Sequence, residues 1–287
     1  MRVQGASFRD PRLEEMLMLV GAVPTAHASA LSDLERFKGR AVSELAAEYW
    51  QGREAADRQA QDRVAVATDE ATVLEYYRDT SQYLYELTYV EGSVKRQGWL
   101  RVLERACRRY GLTHVLDVGG GIGSVSLHLQ PRGIRCDYLD IPGCTFDYAA
   151  WRFAAHGLAV AMFDATQPWP QGPYDAIIAW DVLEHLKHLD EKVAWLAQRL
   201  RPGGLLIHWS TFTECEGVHL PENRRYGDIR RFDELLQRQS FCYRGQLKHD
   251  RLSRVLRRLG WKTATLAVRL SPRLKFGGCF LIHVKAA

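Results

Sequence analysis

Val115-Leu116-Asp117-Val118-Gly119-Gly120-Gly121-Ile122-Gly123-Ser124 joins a short apolar run to four glycines. The apolar residues read as a buried strand, and the glycines mark its end. Glycine admits positive φ and lets a backbone come close to a ligand. A helix starting at the last glycine would offer free N–H groups to an anion. The spacing narrows the choice of ligand. A dinucleotide fingerprint of the form G-x-G-x-x-G starting at Gly119 needs glycine at 124, where the chain has Ser124. The pattern present is D-x-G-x-G-x-G, at Asp117, Gly119, Gly121 and Gly123. An acid two residues ahead of the loop suits a cationic or amine-bearing ligand and would repel a pyrophosphate.

Downstream of this loop, apolar runs alternate with helical stretches. Strands are expected at His114–Val118, Arg135–Leu139, Ala159–Phe163, Ala176–Trp180 and Leu205–Trp209. Helices are expected from the loop through Leu129, at Phe146–His156 and at Leu189–Leu200. This β-α-β alternation predicts an α/β, doubly wound parallel sheet with helices on both faces. Leu247–Leu259 reads as a basic amphipathic helix. The strands Lys262–Val268 and Gly278–Val284 then read as a terminal antiparallel hairpin. Upstream, residues 1–111 read as helical. Glu44–Asp62 is rich in helix formers, Thr68 or Asp69 caps a helix with a turn near Asp79–Ser81, and Trp99–Tyr110 is amphipathic and stopped by Gly111. Residues 1–111 therefore form a helical N-terminal region, and 112–287 form the α/β domain.

The glycine loop resembles motif I of the class I (Rossmann-like) S-adenosylmethionine-dependent methyltransferases, and other landmarks follow in that family's order. Asp140 ends the second strand, 17 residues after Gly123, with Ile141 next to it. Asp164-Ala165 follows the third strand, and Trp180 ends the fourth ahead of Asp181-Val182-Leu183-Glu184-His185-Leu186. Leu200-Arg201-Pro202-Gly203-Gly204 resembles the family's turn before strand five. The resemblance implies a mostly parallel seven-stranded sheet ending in an antiparallel hairpin. It also implies S-adenosyl-L-methionine as cofactor and S-adenosyl-L-homocysteine as product. Asp117, Gly119, Gly121 and Gly123 would cradle the methionine end. Asp140 would hold the ribose, Asp164 and the Ala165 N–H would meet the adenine, and Ile141 and Trp180 would also bind the cofactor. Asp137 competes with Asp140 but lies inside its strand. Tyr76, in the tyrosine-rich stretch Tyr76–Tyr85, is the candidate reaching the cofactor from the N-terminal region.

Methyl transfer from a sulfonium is an in-line displacement at carbon, so the protein chiefly positions donor and acceptor and can deprotonate the nucleophile. His185, just past the fourth strand, and His219, in the polar segment after the fifth, are the candidate bases. Both lie toward the carboxyl edge of the sheet, where ligands of such folds bind. Asp181, Glu184 and His185 also resemble the ligand order of magnesium-dependent small-RNA methyltransferases. That set needs a further histidine, His208 or His219, brought close by the fold, and no metal is expected from sequence. The acceptor is expected to be a small molecule bound by residues 1–111 and an insertion at about 210–246.

Composition sets the outer limits. The 287 residues are 46% hydrophobic and 25% charged, the proportions of a globular chain. The +5 net charge draws on a basic cluster (Arg224, Arg225, Arg230, Arg231, Arg244, Lys248 and on to Arg258). Few aromatics lie among these residues, which argues against a nucleic-acid partner. The six scattered cysteines lack CxxC spacing, so neither disulfides nor structural zinc are expected, and a reducing, cytoplasmic compartment is. Met16–Val23 is apolar, but Glu14 and Glu15 precede it where a signal peptide needs positive charge, so it reads as part of a helix starting after Pro11. No stretch approaches a membrane span. The N-terminal helices could lid the chain's own site or pack on a second copy as a homodimer.

Overall fold

The computed structural model describes residues 24–64, 66–67, 69–212, 219–247 and 280–286. The N-terminal region is helical: α1 (Pro24–Lys38), α2 (Val42–Gln59), α3 (Glu70–Asp79), α4 (Gln82–Glu91) and α5 (Val94–Tyr110). Their ends follow from local chemistry. Asp69 caps α3, its Oδ1 accepting the Thr72 N–H at 2.8 Å. Ser93 caps α5 by accepting the Arg96 N–H at 3.0 Å, and Gly111, at φ +62°, closes that helix. The remaining elements are β1 (His114–Val118), α6 (Ser124–Leu129), β2 (Arg135–Asp140), α7 (Cys144–Ala155), β3 (Met162–Asp164), β4 (Tyr174–Trp180), α8 (Leu189–Arg199), β5 (Leu200–Trp209), α9 (Ile229–Arg238), β6 (Phe241–Leu247) and β7 (Phe280–Lys285).

The seven strands form one sheet in the order β3-β2-β1-β4-β5-β7-β6. The first five are parallel, and β7 runs antiparallel between β5 and β6. The α/β class with an antiparallel end is thus as expected. The strand outside β7 is β6, from a stretch assigned by sequence to the acceptor insertion. Its run Phe-Cys-Tyr-Arg-Gly-Gln-Leu is broken by arginine and glycine and largely exposed, as on the blunted edge of a sheet, so it lacks the apolar pattern of a strand. The expected strand Lys262–Val268, the helix expected over Leu247–Leu259 beyond its first residue, and the helix expected after Pro11 up to residue 23 lie outside the described residues.

Alternate residues of the parallel strands feed two cores, which is why these strands read as unbroken apolar runs. Leu116, Val118, Ile177 and Ala179 pack with Val193 and Leu196 of α8 and with Leu235 and Leu236 of α9. Val115, Ala176, Ile178 and Ile207 pack on the other face with Leu100 and Leu103 of α5. A third cluster joins Leu34, Leu45, Tyr49, Leu84 and Tyr89 of the N-terminal helices to Ile122 of the glycine loop and Tyr148 of α7. Arg152 of α7 is buried at its centre. It donates to Glu91 (2.8 and 2.9 Å), to Asp33 (3.1 Å) and to the Ile122 carbonyl (3.0 Å). Ser124 Oγ completes the network by donating to Glu91 at 2.9 Å. Helices α1 and α4 are thereby fastened to the glycine loop. No helix among the described residues is long and apolar enough to cross a membrane.

Candidate active site

Sheet order puts the carboxyl ends of β1, β2 and β4 side by side, and the glycine loop crosses this edge. The Gly119 N–H donates to the Leu139 carbonyl at 2.8 Å. Gly119 has φ +63°, and a Cβ there would lie 2.0 Å from Val182 Cγ2. Gly121 has φ +55°, and its Cβ would come within 2.8 Å of Leu87 Cδ1. Both positions therefore require glycine on conformational and steric grounds. The loop runs beneath Val182 on one side and α4 on the other.

Asp117 ends up 1% exposed on β1, and its Oδ2 has no hydrogen-bond partner among the described residues. Burial pushes its carboxyl up to about 8, with Asp140 adding and Arg96 opposing. An orphaned buried carboxylate beside a glycine cradle fits an ammonium ligand. Asp140, at the end of β2, accepts the Gly121 N–H on Oδ2 at 2.6 Å and the Ile141 N–H on Oδ1 at 2.7 Å. These bonds aim the carboxylate along the loop and leave lone pairs for two hydroxyls. Burial raises the Asp140 carboxyl while both N–H groups oppose the rise. Asp137 is spent inside the fold, bonded to His114 Nε2 at 2.9 Å and to the Tyr174 hydroxyl at 3.2 Å.

Asp164 stands opposite Asp140 in the β2–β3 register. Its Oδ1 accepts from the Thr166 N–H at 2.7 Å and hydroxyl at 2.6 Å, so it also caps a turn. The Ala165 N–H donates to the Asp140 carbonyl at 2.8 Å, so the backbone group expected at the adenine ring is taken up by the strand ladder. Trp180 ends β4 and carries the Arg96 guanidinium 3.4 Å above its ring centroid.

Tyr76, expected at the cofactor, is instead buried with Val73, Ala60, Val64 and Leu220. It shares a helical face with Val73, three residues earlier, and that face packs inward. Tyr77, turned about 100° around α3, is the tyrosine that reaches the site. Its hydroxyl lies 2.8 Å from His185 Nδ1. Both tyrosines pack in the same cluster, and it is Tyr77 that meets His185, a difference that apolar spacing alone does not reveal. Arg96 was not singled out at all. Its amphipathic helix gives it the periodicity of a surface arginine.

The turn Leu183–His185 starts directly after Val182, the residue packed over Gly119. Glu184 is wholly buried, and its Oε1 accepts the Thr211 N–H at 2.6 Å. Its Oε2 has no hydrogen-bond partner among the described residues, and burial, with Asp181 adding, pushes the carboxyl up to about 8. The two candidate bases are brought together, the His185 and His219 rings standing 4.9 Å apart, edge to face. The segment bearing His219 is held there by the Leu220 N–H on the Glu184 carbonyl (3.2 Å) and by Asn223 Nδ2 on the Leu186 carbonyl (2.8 Å). One ligand atom each of Glu184, His185 and His219 lies within 4.8 Å of the others, a set able to hold a divalent ion. His208 is excluded from that set. It is buried on β5, stacked 5.3 Å from His283, and desolvation depresses its imidazole to about 3.

A family model described as a methyltransferase domain matches residues 78–264, more than half of the chain. Curated relatives include the equisetin synthetase of Fusarium heterosporum, 28% identical over an alignment of 171 residues that covers 54% of this chain and 4% of that protein. A highly reducing polyketide synthase of Aspergillus aculeatus is 26% identical over an alignment of 209 residues that covers 62% of this chain and 8% of that protein. The chain thus spans less than a tenth of these relatives. Among solved structures, an O-methyltransferase from a trans-AT polyketide synthase multienzyme of Brevibacillus brevis, in complex with S-adenosyl-L-homocysteine, aligns at a TM-score of 0.48 and 18% identity. That alignment covers 71% of this chain and 75% of the other. An S-adenosylmethionine-dependent methyltransferase of Clostridium acetobutylicum aligns at 0.49 and 12% identity, over 71% and 99%.

Proposed function

We propose that this chain, which belongs to the methyltransferase domain family, takes S-adenosylmethionine as donor and methylates an oxygen or nitrogen of a small organic molecule. The observation that carries this reading is the Tyr77–His185–His219 cluster, one turn beyond the residue packed on the glycine loop. Hydroxyl and amine acceptors have a proton to lose, and a histidine at the reaction edge can take it. The curated relatives that assemble polyketides support a small acceptor over a macromolecule.

Bound in the cradle, the cofactor supplies a methyl group already activated as a sulfonium. Asp117 would take its ammonium, and Asp140, held by the Ile141 N–H, would take the ribose hydroxyls. Gly119, Gly121 and Gly123 would let the backbone approach, while Asp164 would face the base. Nδ1–H of His185 donates to the Tyr77 oxygen, which fixes the ring and leaves Nε2 to receive the acceptor's proton. His219 lies beside it as the second group able to hold a proton. The helices of residues 24–111 cover the loop and, together with the segment after β5, form the acceptor side.

A second reading rests on the buried, unbonded Oε2 of Glu184: a divalent ion on Glu184, His185 and His219 would grip an acceptor oxygen directly. The deciding experiment follows S-adenosylhomocysteine formation with panels of phenols, alcohols and amines, and separately with RNA and protein, each with and without a chelator. Turnover on small hydroxyl or amine compounds that survives chelation is the expected result. Turnover confined to RNA or protein overturns the reading, and loss on chelation moves it to the metal form.

A further inference from the structure

Tyr77 stands between two polar partners and has one hydrogen to give. Its hydroxyl lies 2.8 Å from His185 Nδ1 and is also hydrogen-bonded to Tyr83. The two tyrosines come from different helices, Tyr77 from the last turn of α3 and Tyr83 from the first turn of α4. The short turn at Thr80 and Ser81 brings them together, with ring centroids 5.5 Å apart. Both pack on the cluster of Ala60, Val64, Val73 and Tyr76 that also takes Leu220, the residue next to His219. The pair is thus built into the packing that holds the histidines.

A phenol hydroxyl donates once and accepts through its oxygen. The Tyr77 hydrogen goes either to Nδ1 or to Tyr83, and the choice sets the tautomer of His185. Given to Nδ1, it puts the ring's own proton on Nε2, and neither nitrogen can then take a proton from a methyl acceptor. Given to Tyr83, it leaves the Tyr77 oxygen to accept from Nδ1–H, and Nε2 keeps its lone pair. Burial, with Tyr83 adding, holds the Tyr77 hydroxyl well above the usual phenol range, as suits a donor to Tyr83. We propose that Tyr83 is a positioning residue for methyl transfer: by accepting the Tyr77 hydrogen it makes Tyr77 an acceptor toward His185 and fixes the imidazole as the Nδ1–H tautomer. The inference rests on His185 as base, argued above. During turnover Nε2 gains the acceptor's proton, the cationic ring keeps Nδ1–H on the Tyr77 oxygen, and Nε2 then returns the proton to water.

The test reads the tautomer by NMR on protein carrying nitrogen-labelled histidine, at about pH 8.5, where an ordinary imidazole is neutral. Ring nitrogen shifts tell N–H from bare nitrogen, and the His185 signals are those lost in His185→Gln. The wild type should show His185 as Nδ1–H. Tyr83→Phe keeps the ring but removes the accepting oxygen, so Tyr77 can turn its hydrogen to Nδ1. That variant, its folding checked by circular dichroism, should move His185 toward Nε2–H. With a phenol or amine that turns over in the panel above, its kcat should fall about three- to tenfold at unchanged KM for S-adenosylmethionine, following the share of rings left in the accepting form. In the Tyr77→Phe background, Tyr83→Phe should cost nothing more, because the link is already broken. A wild type with His185 as Nε2–H, a result that needs no variant to fold, overturns the inference. A folded Tyr83→Phe protein with the tautomer unmoved overturns it too, as do losses at 77 and 83 that multiply. A tautomer that moves while kcat stays unchanged overturns instead the base reading of His185 on which the inference stands.

Discussion

Asp117 shows how burial sets function at a single position. In the free protein its carboxyl is pushed up to about 8, so it is largely protonated at neutral pH. An ammonium bonded to Oδ2 requires the ionised form. Binding therefore lowers the pKa and releases a proton, which makes affinity rise with pH and level off above the free-state value. Between pH 6 and 8 the affinity for S-adenosylhomocysteine should rise, by at most about tenfold per unit. Asp117→Asn should bind weakly with a flat profile; a wild type with a flat profile would show that the carboxylate does not meet the ammonium. His185 makes a kinetic prediction. Alanine there should lower turnover by roughly 10²–10⁴-fold with cofactor affinity preserved, and Tyr77→Phe should lower it less, because the ring loses only its orienting partner. Normal turnover in His185→Ala would remove the base role. Most of these residues could be read from sequence, because strand ends and glycine spacing point to them. Tyr77 could not, since it hides in an ordinary helical pattern, and only the packing of α3 decides which way it faces.

Elements join through a few buried polar contacts. Arg152 ties α1 and α4 to the glycine loop through Asp33, Glu91 and the Ile122 carbonyl. Arg152→Met would leave Glu91 buried without its cation and Asp33 with only His156, a loss of about 3–5 kcal/mol by comparison with broken buried pairs. Chemical denaturation reads this directly, and a change below about 1 kcal/mol would mean that the acids find other partners or water. The same network was invisible in the sequence. Asp33, Glu91 and Arg152 are far apart along the chain and look like surface charges on amphipathic helices. The elements with strong local signals were legible: β1 matched to the residue, and the Asp69 cap and the turn near Asp79–Ser81 fell where expected. The edge strand β6 was not, because an edge strand is kept polar and short of apolar pattern. Strand β3 came out as Met162–Asp164, shifted toward the acid that ends it.

Taken whole, the molecule places a glycine loop, the acids Asp117, Asp140 and Asp164 and a histidine cluster along one sheet edge, beside the N-terminal helices. The class of fold followed from the order of landmarks. The acceptor did not, because the walls we propose for it are helices and a post-β5 segment brought together only by tertiary packing. The account's central claim is that this edge binds S-adenosylmethionine through Asp140. The direct measurement is calorimetric titration of wild type and Asp140→Ala with S-adenosylmethionine, S-adenosylhomocysteine and NAD⁺. Wild type should bind the first two at micromolar concentrations and not NAD⁺. Asp140→Ala should weaken them by about 1–3 kcal/mol through loss of charge-assisted ribose bonds. NAD⁺ binding in place of the sulfonium compounds, or a folded Asp140→Ala protein with undiminished affinity, would contradict the account.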